Sequence, residues 1–103
     1  MIEDVIEAGR DGERALEQLA SESESPFPAA MRGALQTMFD LATGITEEDK
    51  ERKAEEIASY AHNIFPGVTH VSSEDDDVQS CVETVQEQAD DIYKAVKRIK
   101  AES

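Results

Sequence analysis

The sequence predicts an all-α fold, a four-helix bundle that is mostly antiparallel and has a long C-terminal helix. Apolar residues recur at helical spacing in four separate segments. The connections between these segments are short, and short connections place successive helices antiparallel. The chain has 103 residues, which fits a single helical-bundle domain over residues 1–103.

The first helix is predicted from Ile2 to Ser21. Gly9 and Gly12 fall in the middle of its apolar stripe, where a glycine costs about 1 kcal/mol relative to alanine. Two interpretations stay open: the helix breaks near Gly12, or the glycines let another backbone approach closely. The stripe consists of Ile2, Val5, Gly9, Gly12, Leu16 and Leu19.

The second helix is predicted from Ala29 to Thr43, after a Ser- and Pro-containing connection. It is the most apolar of the four segments, and we therefore expect it to be the most buried. The second and fourth helices are expected to supply most of the core. The predicted core residues are Leu16, Leu19, Met31, Leu35, Met38, Ile57, Ile64, Val82, Val85 and Ile92.

The third helix is predicted to open at Thr46, which is a good N-cap residue. Asp49 stands where a capping box has its acidic residue. Pro66 and Gly67 are predicted to end this helix, because proline and glycine both disfavour its continuation. A short extended connection then reaches Val71, with valines that cover an edge of the core.

The fourth helix follows Ser72 or Ser73, either of which suits the N-cap position. Acids at its start and bases at its end complement the helix dipole. At about 40 Å it exceeds the other helices, predicted at about 25–30 Å, so an overhang would fray or meet a second chain. Its apolar positions form a seam: Val78, Val82, Val85, Ala89, Ile92, Val96 and Ile99. Packing within the bundle is the favoured interpretation of this seam, and homodimerisation through the C-terminal helix is the alternative.

The net charge of −14 disfavours direct binding to nucleic acid and to anionic membranes. With a lone cysteine, no apolar run of about 20 residues and an acidic N-terminus, the expected location is the cytoplasm. We expect a non-enzymatic binding or regulatory protein that engages a basic protein partner, as an inhibitor or nucleic-acid mimic in a special case. An alternative is an accessory protein of a salt-adapted organism, whose acidity serves solubility. The candidate partner-binding residues are Glu74, Asp75, Asp76, Asp77, Glu83, Glu87, Asp90 and Asp91.

No catalytic, cofactor or metal site is predicted. His62, His70 and Cys81 are spaced unlike common metal ligands. A calcium loop starting at Asp75 would need Gly and Glu at positions where Ser80 and Gln86 stand. No Gly-x-Ser-x-Gly motif and no glycine-rich phosphate loop occurs in the sequence.

The segment Ala61-His62-Asn63-Ile64 resembles the phosphate-accepting segment of histidine phosphotransfer domains, which are four-helix bundles of about this size. The resemblance implies that His62 accepts a phosphoryl group. It covers only a few residues, and Phe65-Pro66-Gly67 stands where the family has Lys-Gly. An ordinary surface histidine is the favoured alternative.

Overall fold

The computed structural model describes residues 2–22, 27–68, 70–71 and 74–102, and these residues form a four-helix bundle. The helices are α1 (Ile2–Glu22), α2 (Ala29–Thr43), α3 (Lys50–Val68) and α4 (Asp76–Glu102). Each helix packs against the next in sequence, and α4 packs back against α1. The predicted all-α fold class is confirmed.

The packed helices run antiparallel throughout the bundle. Four contacts between neighbouring helices each pair the C-terminal end of one helix with the first half of the other: Gly9 with Thr43, Gly44 with Lys53, Val68 with Gln86, and Glu22 with Cys81. This up-down-up-down arrangement follows from the short connections between successive helices.

Helix α1 is continuous through Gly9 and Gly12, which settles the question that the sequence left open. A Cβ atom on Gly9 would lie 2.8 Å from the Cβ of Ala42 and 3.1 Å from the carbonyl oxygen of Phe39. A Cβ on Gly12 would lie 2.5 Å from the Phe39 ring. The glycines therefore let α2 approach the backbone of α1 closely.

Helix α3 begins at Lys50, so the prediction that it opens at Thr46 was wrong by one turn. Only the acidic half of the predicted capping box is observed: the backbone N–H of Thr46 donates to Asp49 Oδ1 at 2.9 Å, and the Thr46 hydroxyl also donates to this oxygen, at 2.8 Å. These hydrogen bonds, with Lys53 nearby, lower the pKa of Asp49 to about 2. The carboxylate holds residues 46–49 in a turn that leads into the helix.

Helix α3 also continues past Pro66 to Val68, contrary to the predicted stop at Pro66-Gly67. A proline in the last turn removes only one backbone hydrogen bond, and the turn completes around it. Burial favours this last turn, since Val68 is buried and the Gln86 side chain donates a hydrogen bond to its carbonyl oxygen. Val71 is half-buried against the core, as expected. The prediction of an extended connection was wrong, because the backbone N–H groups of His70 and Val71 donate to the carbonyl oxygens of Gly67 and Val68 in turns.

Helix α4 begins at Asp76 and is capped by Asp75. Asp75 Oδ1 accepts hydrogen bonds from the backbone N–H of Asp77 at 2.9 Å and of Val78 at 3.4 Å. The predicted cap residues, Ser72 and Ser73, lie outside the described residues. An acidic cap at the positive end of the helix dipole stabilises the start of α4.

The core contains all the predicted residues except Met31, which is only partly buried. Phe39 is fully buried and is the largest such side chain, although it was absent from the predicted core. The expectation that α2 would be the most buried helix was wrong. It buries four residues, whereas α1 buries seven and α4 buries nine. The seven buried residues of α1 include Gly9 and Gly12, because α2 packs directly against them.

The seam of α4 is buried within a single chain. Its residues are at most 5% exposed, and Ile99 near the C-terminal end is only 3% exposed. Helix α1 spans 21 residues, one more than predicted, and covers the far half of α4 near Arg98. The bundle itself therefore accounts for the seam, and an overhanging apolar end is not observed among the described residues.

Candidate functional site

The candidate partner-binding acids fall into three groups in the structure. The first group lies exposed at the start of α4 and comprises Glu74, Asp75, Asp76 and Asp77. The second lies together against α3 and comprises Glu83, Glu87 and Asp90. Asp91 alone faces α1. The structure thus brings together only part of the predicted set, because successive residues of a helix point in different directions.

Asp91 shares a groove with acids that the sequence analysis did not single out. Asp4, Glu7 and Asp11 of α1 line this groove of about 310 Å³ with Asp91, and Arg98 is its one basic residue. The helical spacing of these three α1 acids is visible in the sequence. Their position beside α4 depends on which face of α1 packs, and on how the helices align.

The α3/α4 face combines acids with partly exposed apolar groups, and we define it by two neighbouring crevices. The first has a volume of about 370 Å³ and the second of about 300 Å³. Phe65 separates them and lines both. The first is otherwise lined by Val68, Glu83, Gln86, Glu87 and Asp90, and the second by His62, Pro66 and Tyr93.

Aromatic rings form the apolar part of this face. Phe65 and Tyr93 are both half-buried and contact each other edge to face, with ring centroids 5.3 Å apart and an interplanar angle of 78°. Lys97 places its Nζ atom 5.0 Å from the centre of the Tyr93 ring. The ring pair ties α3 to α4 while leaving apolar surface accessible, as aromatic anchors of binding sites do.

The charges on the α3/α4 face differ in how they are paired. Asp90 forms an ion pair with Lys94 at 2.9 Å, and its hydrogen bond raises the pKa of Lys94. Glu83 and Glu87 form no ion pair within the described part of the chain, and Glu83 only accepts a weak hydrogen bond from Gln79 at 3.5 Å. Two adjacent carboxylates are thus available beside an apolar crevice.

The histidines and the cysteine do not converge on a reactive site. His62 and His70 are exposed, and Cys81 is buried on the opposite side of α4. Burial, and then hydrogen bonding of the thiol to Glu22 at 3.5 Å, raises the pKa of Cys81 and keeps it protonated. Among residues 2–22, 27–68, 70–71 and 74–102, no cluster of three His, Cys, Asp or Glu residues could hold a metal ion.

A second pair of carboxyl groups connects α1 to α2. Gln36 Nε2 bridges Glu13 Oε1 at 3.4 Å and Asp40 Oδ1 at 3.1 Å. Hydrogen bonding to Asp40, followed by desolvation and the charges of Asp40 and Glu17, raises the pKa of Glu13 to about 7. This pair bridges α1 and α2 where the two helices pack closely, so we assign it to packing rather than to binding.

Comparisons with protein-family models, with curated proteins and with solved structures found no match for this chain. Within the described ranges, no helix is both long enough and apolar enough to cross a membrane. The functional interpretation therefore depends on the surface of the bundle.

Proposed function

We propose that this chain is a non-enzymatic binding or regulatory module that engages a basic protein partner through its α3/α4 face. The observation that carries the proposal is the pair of carboxylates Glu83 and Glu87, which lie beside the crevice at Phe65 and form no ion pair with any residue that the structure describes. Apolar contact supplies affinity in such a site, and the carboxylates supply specificity and a faster association.

The charge of the whole chain supports a basic partner. With 24 acids and 10 bases, the protein attracts a positively charged protein at long range. The ion pairs in the described residues all join positions three or four apart on neighbouring turns. These six ion pairs involve five of the acids that the structure describes, so most of the described carboxylates remain for interactions with a partner. Inhibition of a nucleic-acid-binding protein is a special case of this function.

The experiment compares two variants in affinity capture from extracts of the native organism. Glu83→Gln/Glu87→Gln removes the two carboxylates of the α3/α4 face. Glu51→Gln/Glu55→Gln makes the same change at the same spacing on exposed positions of α3, far from the crevice. We expect the first variant to lose the captured partner about tenfold or more and the second to retain it. The complex should also weaken steeply as salt is raised.

Equal capture by both variants would contradict the assignment to the α3/α4 face. Binding that is insensitive to salt would contradict the basic nature of the partner. The alternative function, an accessory protein whose acidity serves solubility in a salt-adapted organism, predicts no selective loss in either variant. It also predicts that the protein melts much more easily in dilute buffer than in molar salt.

A further inference from the structure

Five charged residues form a line along the solvent side of α4, which we call the outer stripe: Glu83, Glu87, Asp90, Lys94 and Lys97. Their alternating spacing of four and three positions places them on one side of the helix. All are exposed except Asp90, whose side chain is still 50% exposed. This line lies away from the buried seam, so it is open to a second molecule.

The charges of the outer stripe are complementary to those of a second copy of the stripe that runs in the opposite direction. Its acids come first along the helix and its bases last, with Asp90 between them. Glu83 and Lys97 lie seven positions on either side of Asp90, and Glu87 and Lys94 lie three and four positions away. In an antiparallel pair centred on Asp90, Glu83 of each copy therefore meets Lys97 of the other, and Glu87 meets Lys94.

We propose that two copies of this chain associate through the outer stripe as an antiparallel, two-fold symmetric dimer. The interface would be isologous, with the same patch contributed by each copy. Four intermolecular ion pairs would form, and they would use Glu83 and Glu87, which have no ion pair within the described residues. Asp90 lies at the symmetry axis, opposite Asp90 of the second copy. Lys94, which is 2.9 Å from Asp90 of its own helix, would lie between that carboxylate and Glu87 of the other copy and be shared by both.

The second crevice of the α3/α4 face, lined by His62, Phe65, Pro66 and Tyr93 and called here the aromatic crevice, supplies the apolar part of this interface. Tyr93 lies only three residues from Asp90, which corresponds to about 4.5 Å along the helix axis. A two-fold axis perpendicular to both helices keeps α3 of each copy on the same side. The two Phe65–Tyr93 pairs would then lie on the same side of the interface, one on either side of the axis, and bury apolar surface that each single chain leaves half-exposed.

Long-range repulsion opposes this association, because each copy carries a net charge of −14. At about 0.15 M salt the screening length is about 8 Å, which weakens repulsion between distant charges more than attraction between contacting ones. We therefore expect the dimer at physiological ionic strength, and a smaller dimer fraction both in very dilute buffer and in molar salt. The dimer does not depend on the proposed function, but a basic partner bound at Glu83 and Glu87 would compete with it.

The test measures the mass in solution by sedimentation equilibrium for the wild-type chain and three charge-reversal variants. Glu83→Lys/Glu87→Lys and Lys94→Glu/Lys97→Glu each place like charges opposite one another in both halves of the interface. Each variant alone should be monomeric, with at least a tenfold weaker association than the wild-type chain. An equimolar mixture of the two should form a heterodimer, since their charges are again complementary. The variant with all four substitutions should form a homodimer again.

Circular dichroism and thermal melting of each variant will establish that the bundle remains folded. A wild-type chain that stays monomeric at all salt concentrations would overturn the proposal. So would either double variant alone if it associated as strongly as the wild-type chain. An equimolar mixture of the two double variants that formed no heterodimer would overturn it as well. None of these results bears on capture of a basic partner, so the dimer and the proposed function can fail separately.

Discussion

The interface between α1 and α2 differs from the interface between α3 and α4 in what lies between the helices. Gly9 and Gly12 of α1 leave no side chain of their own, so the α2 backbone and the Phe39 ring fill that space. Between α3 and α4, half-buried rings of Phe65 and Tyr93 meet edge to face. At the first interface α2 packs directly against the backbone of α1, whereas the second has crevices at its surface.

The difference shows how one small bundle combines stability with a binding surface. Close backbone approach excludes voids, and interiors packed in this way tolerate few changes in volume. Bulky side chains at the edge of an interface leave clefts where apolar and charged groups meet solvent together. We therefore expect substitutions at α1/α2 to act on folding, and substitutions at the α3/α4 face to act on binding.

The largest expected effect is the contrast between two phenylalanines. Phe39→Ala removes a fully buried ring and should lower the free energy of unfolding by about 3–5 kcal/mol. Phe65→Ala removes a half-buried ring at the surface and should cost only about 1 kcal/mol. Urea unfolding followed by circular dichroism measures both values. Similar losses of unfolding free energy for the two variants would show that the α3/α4 face is part of the folding core, and would contradict the distinction between the two interfaces.

A smaller effect is expected from the glycines of α1. Gly12→Ala places a methyl group 2.5 Å from the fully buried Phe39 ring, so we expect the upper part of the overpacking cost of about 1–3 kcal/mol. That cost exceeds the gain of about 1 kcal/mol in helix propensity. Gly33→Ala is the matched control, because no described residue outside the neighbouring backbone of its own helix comes within 4 Å of the added methyl group. It should stabilise the protein by about 1 kcal/mol. Thermal melting should therefore shift in opposite directions for the two variants, and stabilisation by Gly12→Ala would mean that the helices are free to separate.

The smallest effect concerns the carboxyl pair at the α1/α2 interface. The folded-state pKa of Glu13, about 7, lies above its usual value of 4.5, so its contribution to stability is complete below pH 4.5 and is lost as the pH rises to about 7. Glu13→Gln keeps a neutral side chain at every pH. Allowing for solvent screening, it should stabilise the protein by about 1 kcal/mol at pH 8 and by almost nothing at pH 4.5.

Urea titrations of wild type and Glu13→Gln at pH 4.5, 6 and 8 measure this dependence. Glu55→Gln makes the same substitution at an exposed position of α3 and provides the control for the loss of a surface carboxylate. A constant difference for Glu13→Gln would contradict the assignment of the raised pKa to the pair with Asp40.

Helix positions and the buried side of each helix were predictable because they depend on local spacing. The seam from Val78 to Ile99 indicated which side of α4 faces inward, and every seam residue is buried. Helix ends were less predictable. Pro66 is a strong local stop signal, yet burial of Val68 and the hydrogen bond from Gln86 outweigh the one backbone hydrogen bond that proline removes.

The candidate site was predictable only in part, for a related reason. Glu83, Glu87 and Asp90 share a helix face, and this can be derived from spacing alone. That Phe65 of α3 lies beside them could not be derived, because it depends on the alignment of two helices distant in the sequence. The sequence also offered no means of separating Asp91, which faces α1, from the acids that face α3.

The sequence by itself determined the four helices, the acidic surface and the inward face of α4, since periodicity and charge act over a few residues. The tertiary structure alone decided that α1 runs unbroken through its glycines, because the energy that offsets their low helix propensity comes from contact with Phe39 and Ala42. It also decided that the seam of α4 is filled within the chain, while the outer stripe and the aromatic crevice stay accessible. Both outcomes depend on packing between segments that are distant in the sequence, and local periodicity and charge carry no information about that packing.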